Sequence, residues 1–263
     1  MKQELFILPF DHRSSFIKDV LKVQGKPNKK QTEAVSHLKE TIFLGFLDYA
    51  KDKKNFGILV DEEYGKEIIK KAKKEKVIVS ISAEKSGKQE FEFEYGSKFK
   101  NHIKKFKPDY VKILVRYSLK NDNKNQLNKF KQLEQFCKKN NYKILFELLI
   151  KEKSKADKII EEIRTAIEPD IWKLEGDNNW NKVIKAINKN SRIIMLGRGE
   201  NTKMVEKWIK NAKTHKEIIG FAIGRTIFFN PIKDYYNKKI ARKEAINQIS
   251  NNLKYFVKLW KQN

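Results

Sequence analysis

Charged residues lie inside three apolar segments that are expected to form buried strands. They are Lys112 in Val111–Arg116, Glu147 in Leu145–Leu149 and Lys173 in Ile171–Glu175. Because side chains alternate between the two faces of a strand, each charge falls on the face that lines the interior of a closed sheet. A single inward lysine can be a structural ion-pair partner. Two inward lysines and an inward glutamate on three successive strands instead indicate nucleophilic and acid–base chemistry.

Two glycine–arginine elements follow the last two apolar runs of the chain. The first contains Gly197, Arg198 and Gly199, and the second contains Gly224 and Arg225. Glycine lets backbone N–H groups approach a phosphate, and arginine adds a charged fork. The loops after strands seven and eight are the usual phosphate site of a (β/α)8 barrel. The alternative is that each arginine caps loop carbonyls, but two such elements at these positions favour phosphate binding.

Further charged residues follow the earlier apolar runs. The additional candidate site residues are Asp11, Arg13, Glu84, Lys85 and Arg116. A phosphate site, an inward lysine and a neighbouring carboxylate suit Schiff-base chemistry on a sugar phosphate. The amine of Lys173 would attack a ketone, and an acid–base group would move the proton of a substrate hydroxyl as the adjacent C–C bond breaks. Attack needs the neutral amine, which burial and a nearby cation such as Lys112 favour.

Short apolar runs and longer segments of helical periodicity alternate along the chain, as in folds where many strand ends meet at one face. The apolar runs are Leu5–Phe10, Phe56–Val60, Val77–Ile81, Tyr110–Val115, Ile144–Leu149, Ile171–Leu174, Arg192–Leu196 and Gly220–Ile223. Segments with helical periodicity separate them, which predicts a parallel sheet, and eight repeats predict closure into a barrel. With no break in composition, we predict one α/β domain over residues 1–263, a (β/α)8 TIM barrel. An extra C-terminal helix is predicted over Arg242–Trp260.

The chain is strongly basic, with a formal net charge of +25 from 58 basic and 33 acidic residues. Lysines fall in ones and twos on the predicted helices, and arginine, the better fork for phosphate and base edges, is scarce. We therefore expect solvated helix faces and no nucleic-acid partner. The competing hypothesis is a barrel that has lost catalysis and binds nucleic acid or a protein through its basic surface.

Cysteine, histidine and hydropathy bear on compartment and cofactors. Cys137 is the only cysteine and is predicted to lie in the core, so no disulfide forms within the chain. No apolar run approaches the roughly 20 residues that span a bilayer. We expect a cytoplasmic protein with no membrane partner, and a homo-oligomer is compatible with the sequence. The four histidines lack ligand spacing, which predicts no metal and no cofactor, and His37, His102 and His215 are predicted on helix surfaces.

Several segments together resemble one protein family. They are Ile7–Arg13, Gly57–Glu62, Glu84–Gly87, Phe91–Gly96, Val111–Tyr117, Phe146–Leu149, Glu168–Gly176, Leu196–Glu200 and Gly220–Thr226. In combination they are similar to the 5-dehydro-2-deoxyphosphogluconate aldolase domain that follows a sugar-kinase domain in many bacterial inositol-catabolism proteins. The resemblance covers nearly the whole chain, and the kinase domain has no counterpart in it. That family is distantly similar to class I tagatose-bisphosphate and sulfofructose-phosphate aldolases.

The resemblance implies a reaction and residue roles. Lys173 would be the Schiff-base lysine, Glu147 an acid–base group, Lys112 a substrate-binding or pKa-tuning group, and Asp11 the aspartate that ends strand one. The substrate would be a phosphorylated sugar acid, 2-deoxy-5-keto-6-phosphogluconate, cleaved to dihydroxyacetone phosphate and malonate semialdehyde. Lys85, in a segment without a counterpart in the tagatose enzymes, is expected to bind the substrate carboxylate and is a second candidate nucleophile. The alternative is a class I aldolase for a tagatose- or sulfofructose-type phosphate.

Overall fold

Eight parallel strands form a closed barrel in the computed structural model, which describes residues 4–52 and 54–262. The strands are β1 (Leu5–Pro9), β2 (Phe56–Val60), β3 (Ile78–Ser82), β4 (Tyr110–Tyr117), β5 (Lys143–Ile150), β6 (Ile171–Glu175), β7 (Arg192–Leu196) and β8 (Ile218–Ala222). Neighbours in sequence pair with each other, and β8 pairs with β1 to close the ring. The predicted (β/α)8 barrel is therefore confirmed.

Helices follow the strands and cover the outside of the barrel. They are α1 (Ser14–Phe16), α2 (Lys29–Ala50), α3 (Glu62–Lys74), α4 (Phe99–Phe106), α5 (Lys124–Lys139), α6 (Ala156–Arg164), α7 (Trp180–Ala186), α8 (Thr202–Ala212), α9 (Arg225–Tyr236) and α10 (Arg242–Lys261). Most bury one apolar stripe against the strands, as α8 does with Val205, Ile209 and Ala212. The lysines that give the chain its charge lie largely on the opposite, solvated faces.

The protein has two apolar cores, and the inner one shows at which level of the barrel the site residues lie. The inner core fills the barrel and consists of Leu5, Ile7, Leu59, Tyr110, Leu145, Ile171, Ile194 and Ala222. The outer core lies between strands and helices and contains Cys137, as predicted. Lys112, Glu147 and Lys173 each come two residues after an inner-core residue on the same strand. They therefore form the next inward layer, nearer the C-terminal end of the barrel.

The predicted C-terminal helix is present as α10 and packs against α2 and α9. Gly45 on α2 allows the close approach, since an added Cβ would lie 2.7 Å from Cβ of Ile249.

Two histidine predictions were wrong. His102 is on α4 as expected but is buried, with its ring stacked on Tyr95, and His215 lies in a bend after α8. Within residues 4–52 and 54–262, none of the helices has the length and apolar character required to span a bilayer.

Candidate active site

A cavity of about 360 Å³ opens at the C-terminal ends of the strands. Every candidate site residue from the sequence lines it except Gly197. The lining includes Asp11, Arg13, Glu84, Lys85, Lys112, Arg116, Glu147, Lys173, Arg198, Gly199, Gly224 and Arg225. These residues follow or belong to seven different segments of the chain, which the barrel brings to one mouth. This is the position of the active site in (β/α)8 enzymes.

Lys112 is the centre of a buried cluster of carboxylates. Its Nζ lies 2.8 Å from Oδ2 of Asp11, 2.6 Å from Oε1 of Glu84 and 3.1 Å from Oε2 of Glu147. Ser82, beside Lys112 in the β3–β4 register, donates its hydroxyl to the same Oδ2 of Asp11 at 2.8 Å. One ammonium thus serves three carboxyl groups that arrive from β1, β3 and β5.

Lys173 lies next to this cluster and is almost completely buried. It is the direct neighbour of Glu147 in the β5–β6 register, and its Nζ donates to Oε2 of Glu147 at 2.9 Å. Glu147 therefore bridges two amines through a single oxygen. An amine nucleophile with a carboxylate in hydrogen-bonding distance is the arrangement that imine chemistry needs.

The carboxyl groups of the cluster have divergent proton affinities. Burial is the strongest single influence on the pKa of Asp11 and would raise it, but the charge and hydrogen bond of Lys112, together with the other cationic neighbours, outweigh burial and lower that pKa. For Glu147, burial is likewise outweighed, and the charges of Lys112 and Lys173 lower its pKa. For Glu84, burial prevails over the charge of Lys112, so its pKa is raised. Lys112 itself is desolvated, yet its three carboxyl partners raise its pKa well above the ordinary value. Lys112 is therefore a permanent cation.

A hairpin that follows β3, residues 83–94, forms one wall of the cavity. Glu84 and Phe93 pair as an antiparallel bridge at its base. Arg13 stabilises the start and end of the hairpin, because its guanidinium donates to Oε2 of Glu94 at 2.5 Å and to the carbonyl of Glu84 at 2.7 Å. Arg13 was predicted to bind substrate, and in the structure its side chain holds the wall of the cavity.

Lys85 and Arg116 lie on the rim of the same cavity. The Lys85 side chain is 47% exposed, and its Nζ is 3.9 Å from Oε2 of Glu92. Arg116, on β4, donates to the carbonyl of Lys88 in the hairpin at 2.9 Å. Both cations follow or belong to β3 and β4, which lie across the barrel from β7 and β8 and their glycine–arginine loops.

The two glycine–arginine elements meet in space. Arg225, at the start of α9, donates to the carbonyl of Arg198 at 2.8 Å. The Arg198 side chain itself pairs with the buried carboxylate of Glu175. Lys153, which follows β5, also contacts Glu175. The Arg198 side chain is thus paired with Glu175 and stabilises the loop. Arg225 is therefore the arginine better placed to bind an anion in the cavity.

Gly199 provides a direct test of this loop. Its φ is +77°, and an added Cβ would lie 2.5 Å from Nε of Arg225. We predict that Gly199→Ala displaces the Arg225 guanidinium and raises KM for a phosphorylated substrate by about tenfold or more, because a charge-assisted contact is lost. The change in kcat should be small. Steady-state kinetics with the substrates named below measure both values.

Gly25→Ala is the matched control for this variant. Gly25 has a φ of +81° and no atom within 4 Å of the added Cβ, and it is not part of the cavity lining. The backbone strain is comparable, but no arginine is displaced. Equal KM values for the two variants would show that the loop after β7 does not position Arg225 for substrate.

Sequence reasoning gave no role to several residues of the site. His12 lines the cavity between Asp11 and Arg225, and burial, opposed by Asp11 and reinforced by Arg225, lowers its pKa to about 4. Its imidazole is therefore neutral at physiological pH. Ser82 was missed as a partner of Asp11, although the alternation of Ser80 and Ser82 within β3 was a usable signal. Lys153 had no signal, because its contact with Glu175 depends on a loop.

Among the described residues, no group of three or more histidine, cysteine, aspartate or glutamate side chains is arranged to hold a metal ion. The three carboxylates nearest the centre of the mouth instead converge on the ammonium of Lys112. The charge at the centre of this site is thus supplied by protein side chains.

Solved structures share the barrel at low sequence identity. The YdjI aldolase from Escherichia coli K12 is 11% identical with a TM-score of 0.64, and the match covers 99% of this chain and 92% of that one. Cgl0159 from Corynebacterium glutamicum is 14% identical with a TM-score of 0.63, covering 96% and 86%. Orotidine 5'-phosphate decarboxylase from Pyrococcus horikoshii OT3 is 15% identical with a TM-score of 0.50, covering 95% and 99%. At these identities the likeness establishes the fold alone.

A family model matches the whole chain. No curated protein matches this chain. The model that does match spans residues 1–263 and describes an uncharacterized protein conserved in bacteria, DUF2090. The chain with the lysine–carboxylate cluster at its barrel mouth therefore belongs to the DUF2090 family.

Proposed function

We propose that this protein is a class I aldolase, a lyase that cleaves a ketose phosphate through a Schiff base on Lys173. The observation that carries the proposal is the buried Lys173 amine, 2.9 Å from Oε2 of Glu147, in a cavity that also holds the permanent cation Lys112. A buried amine within hydrogen-bonding distance of a carboxylate is placed to attack a carbonyl group that enters the cavity. The fold shared with an aldolase is compatible with this chemistry.

The chemistry follows from the roles these groups can take. The Lys173 amine adds to the ketone carbon, and the resulting carbinolamine takes up one proton from water and loses water to give an iminium; the proton is returned when the iminium is hydrolysed at the end. Glu147 accepts the proton of the hydroxyl group two carbons away as the C–C bond between them breaks. The bonding electrons enter the iminium and form an enamine, while the hydroxyl carbon leaves as an aldehyde. Protonation of the enamine and addition of water then release the second product and free Lys173.

The substrate we favour is 2-deoxy-5-keto-6-phosphogluconate, which the resemblance to the inositol-catabolism aldolase domain suggests. Its two ends are anionic, and the cavity has cations on two sides. Arg225 with the glycines after β7 and β8 suits the phosphate, and Lys85 with Arg116 suits the carboxylate. Cleavage between C3 and C4 would give malonate semialdehyde and dihydroxyacetone phosphate.

A substrate panel tests the proposed function. The purified protein should release dihydroxyacetone phosphate from 2-deoxy-5-keto-6-phosphogluconate with kcat/KM at least about 100-fold above the value for tagatose 1,6-bisphosphate, because we expect Lys85 and Arg116 to pair with a carboxylate at one end of the substrate. EDTA should leave the rate unchanged. A reversed preference, for tagatose bisphosphate or for sulfofructose phosphate, would support the alternative class I aldolase. Loss of turnover with EDTA would contradict the metal-free mechanism.

A further inference from the structure

The charges in the cluster around Lys112 do not balance. Three carboxyl groups share this ammonium, which is the only permanent cation that touches all of them among the described residues. If all three were ionised, the cluster would carry excess negative charge in a buried place, which is costly. A proton held by one carboxyl reduces this excess, and the contacts indicate which one holds it.

Asp11 and Glu147 have the contacts of ionised carboxylates. Oδ2 of Asp11 accepts from Lys112 and from the Ser82 hydroxyl, each at 2.8 Å. Oε2 of Glu147 is 2.9 Å from the Lys173 amine and 3.1 Å from that of Lys112. Two donors on one oxygen stabilise the charged form, and the pKa of each group is lowered in agreement with this.

Glu84 differs from both. Its Oε1 accepts from Lys112 at 2.6 Å, but its Oε2 is buried and has no hydrogen-bond partner. An ionised carboxylate would leave half of its charge on that unpartnered oxygen. A protonated carboxyl avoids this cost, and it places an O–H on a side chain that lines the same cavity as Lys173. Burial and the nearby charge of Asp11 raise the pKa of Glu84, which is consistent with this assignment.

The backbone around Glu84 is firmly held. Ala83, the preceding residue, donates its N–H to the carbonyl of Lys112 at 2.8 Å. Arg13 binds the carbonyl of Glu84 itself at 2.7 Å. Glu84 pairs with Phe93 across the hairpin. These contacts hold the main chain of Glu84 in place beside Lys112, and a held position favours proton transfer.

We propose that Glu84 is the proton donor that completes the reaction, a role distinct from that of Glu147. This inference rests on the proposed function. After the C–C bond breaks, the Glu84 O–H gives its proton to the enamine carbon, and the O–H electron pair stays on the carboxylate. The enamine becomes the iminium of dihydroxyacetone phosphate, which water then hydrolyses.

The proton count of the two carboxyl groups closes through water. Glu147 has gained a proton from the substrate hydroxyl, and Glu84 has lost one to carbon. After the products leave, Glu147 releases its proton to water and Glu84 takes one up, so the cluster returns to its starting state with no net gain or loss. Lys112, 3.1 Å from Glu147 and 2.6 Å from Glu84, stays charged throughout.

Deuterium exchange into dihydroxyacetone phosphate isolates this step, because it needs the imine and the carbon acid–base group but no aldehyde. The protein is incubated with dihydroxyacetone phosphate in D2O, and loss of the hydroxymethyl C–H signal is followed by NMR. Adduct formation is measured in parallel by borohydride trapping. We expect Glu84→Gln, which keeps an acceptor for Lys112, to slow exchange per trapped adduct by about 100-fold or more. Glu147→Gln should exchange within a few-fold of the wild-type rate per adduct but lose cleavage.

The outcomes separate the two proposals. Wild-type exchange per adduct in Glu84→Gln would overturn the role of Glu84 while leaving the aldolase intact. Absence of any adduct with the wild-type protein would overturn both. Glu84→Asp keeps the carboxylic acid at a shorter reach and serves if the glutamine variant does not fold. It should exchange more slowly than the wild type, and a wild-type rate in both Glu84→Asp and Glu84→Ala would overturn the inference as well.

Discussion

Replacing Lys173 with methionine should lower the rate of aldol cleavage by at least about 10⁴-fold, because no imine can form without the amine. Methionine keeps most of the length and the apolar stem of the buried side chain. Glu147 keeps Lys112 as an ionic partner at 3.1 Å, so the variant should fold. Product release measured with a dihydroxyacetone phosphate-coupled assay reports the rate, and thermal unfolding reports the fold.

Two further lysine variants make this result specific. Lys185→Met changes an exposed lysine on α7 and should have wild-type activity. Lys85→Met removes the second candidate nucleophile and should raise KM while kcat stays within a few-fold, because Lys85 is expected to bind the substrate carboxylate. If Lys173→Met retained a tenth of the activity, or if Lys85→Met abolished it, the assignment of the nucleophile would be wrong.

Replacing Lys112 with methionine should have the largest effect on stability. The change leaves Asp11, Glu84 and Glu147 buried without their common cation. We expect the free energy of unfolding near neutral pH to fall by about 3–5 kcal/mol, as for a buried ion pair that loses one partner. Activity should be lost as well. Urea unfolding followed by circular dichroism measures the stability.

The pH dependence of that loss has a definite sign. In the wild type the pKa values of Asp11 and Glu147 are lowered. The two groups therefore add to the free energy of unfolding at a pH above their unfolded pKa near 4, and this added stability is lost as the pH falls below that value. Without Lys112, burial raises these pKa values above the unfolded ones, and the variant regains stability as the pH falls through them. The difference between the two proteins should therefore be smaller at about pH 5 than at about pH 7.5.

An exposed ion pair provides the control for this prediction. Lys71 pairs with Glu40 on the helical surface, and its side chain is 53% exposed. Lys71→Met should cost less than about 1 kcal/mol because water screens the pair. A Lys112→Met variant no less stable than Lys71→Met, or one whose deficit grows on acidification, would show that the three carboxylates do not depend on Lys112.

Strand alternation made much of the site predictable from the sequence. It turned Lys112, Glu147 and Lys173 inward on three adjacent strands, and the structure places them there within hydrogen-bonding distance. The order of strands and the phase of their side chains are local properties that a sequence records directly. The register that puts Glu147 beside Lys173 follows from the same regular barrel.

Contacts made by loops were not predictable in this way. Arg13 was expected to bind substrate, yet it holds a hairpin whose Glu94 lies 81 residues further along the chain. Arg198 was expected to face a phosphate, yet it pairs with Glu175. Both contacts depend on how a loop folds back over the barrel, and no periodicity encodes that. The same reason explains why Glu84 could be placed at a strand end but not on Lys112.

Borohydride trapping tests the central claim most directly. The protein is incubated with dihydroxyacetone phosphate, reduced with sodium borohydride, digested and mapped by mass spectrometry, with a reduction lacking dihydroxyacetone phosphate as the blank. The account predicts one stable adduct, on Lys173, that disappears in Lys173→Met and persists in Lys185→Met. No adduct, or an adduct on Lys85 or on any other lysine, would contradict it.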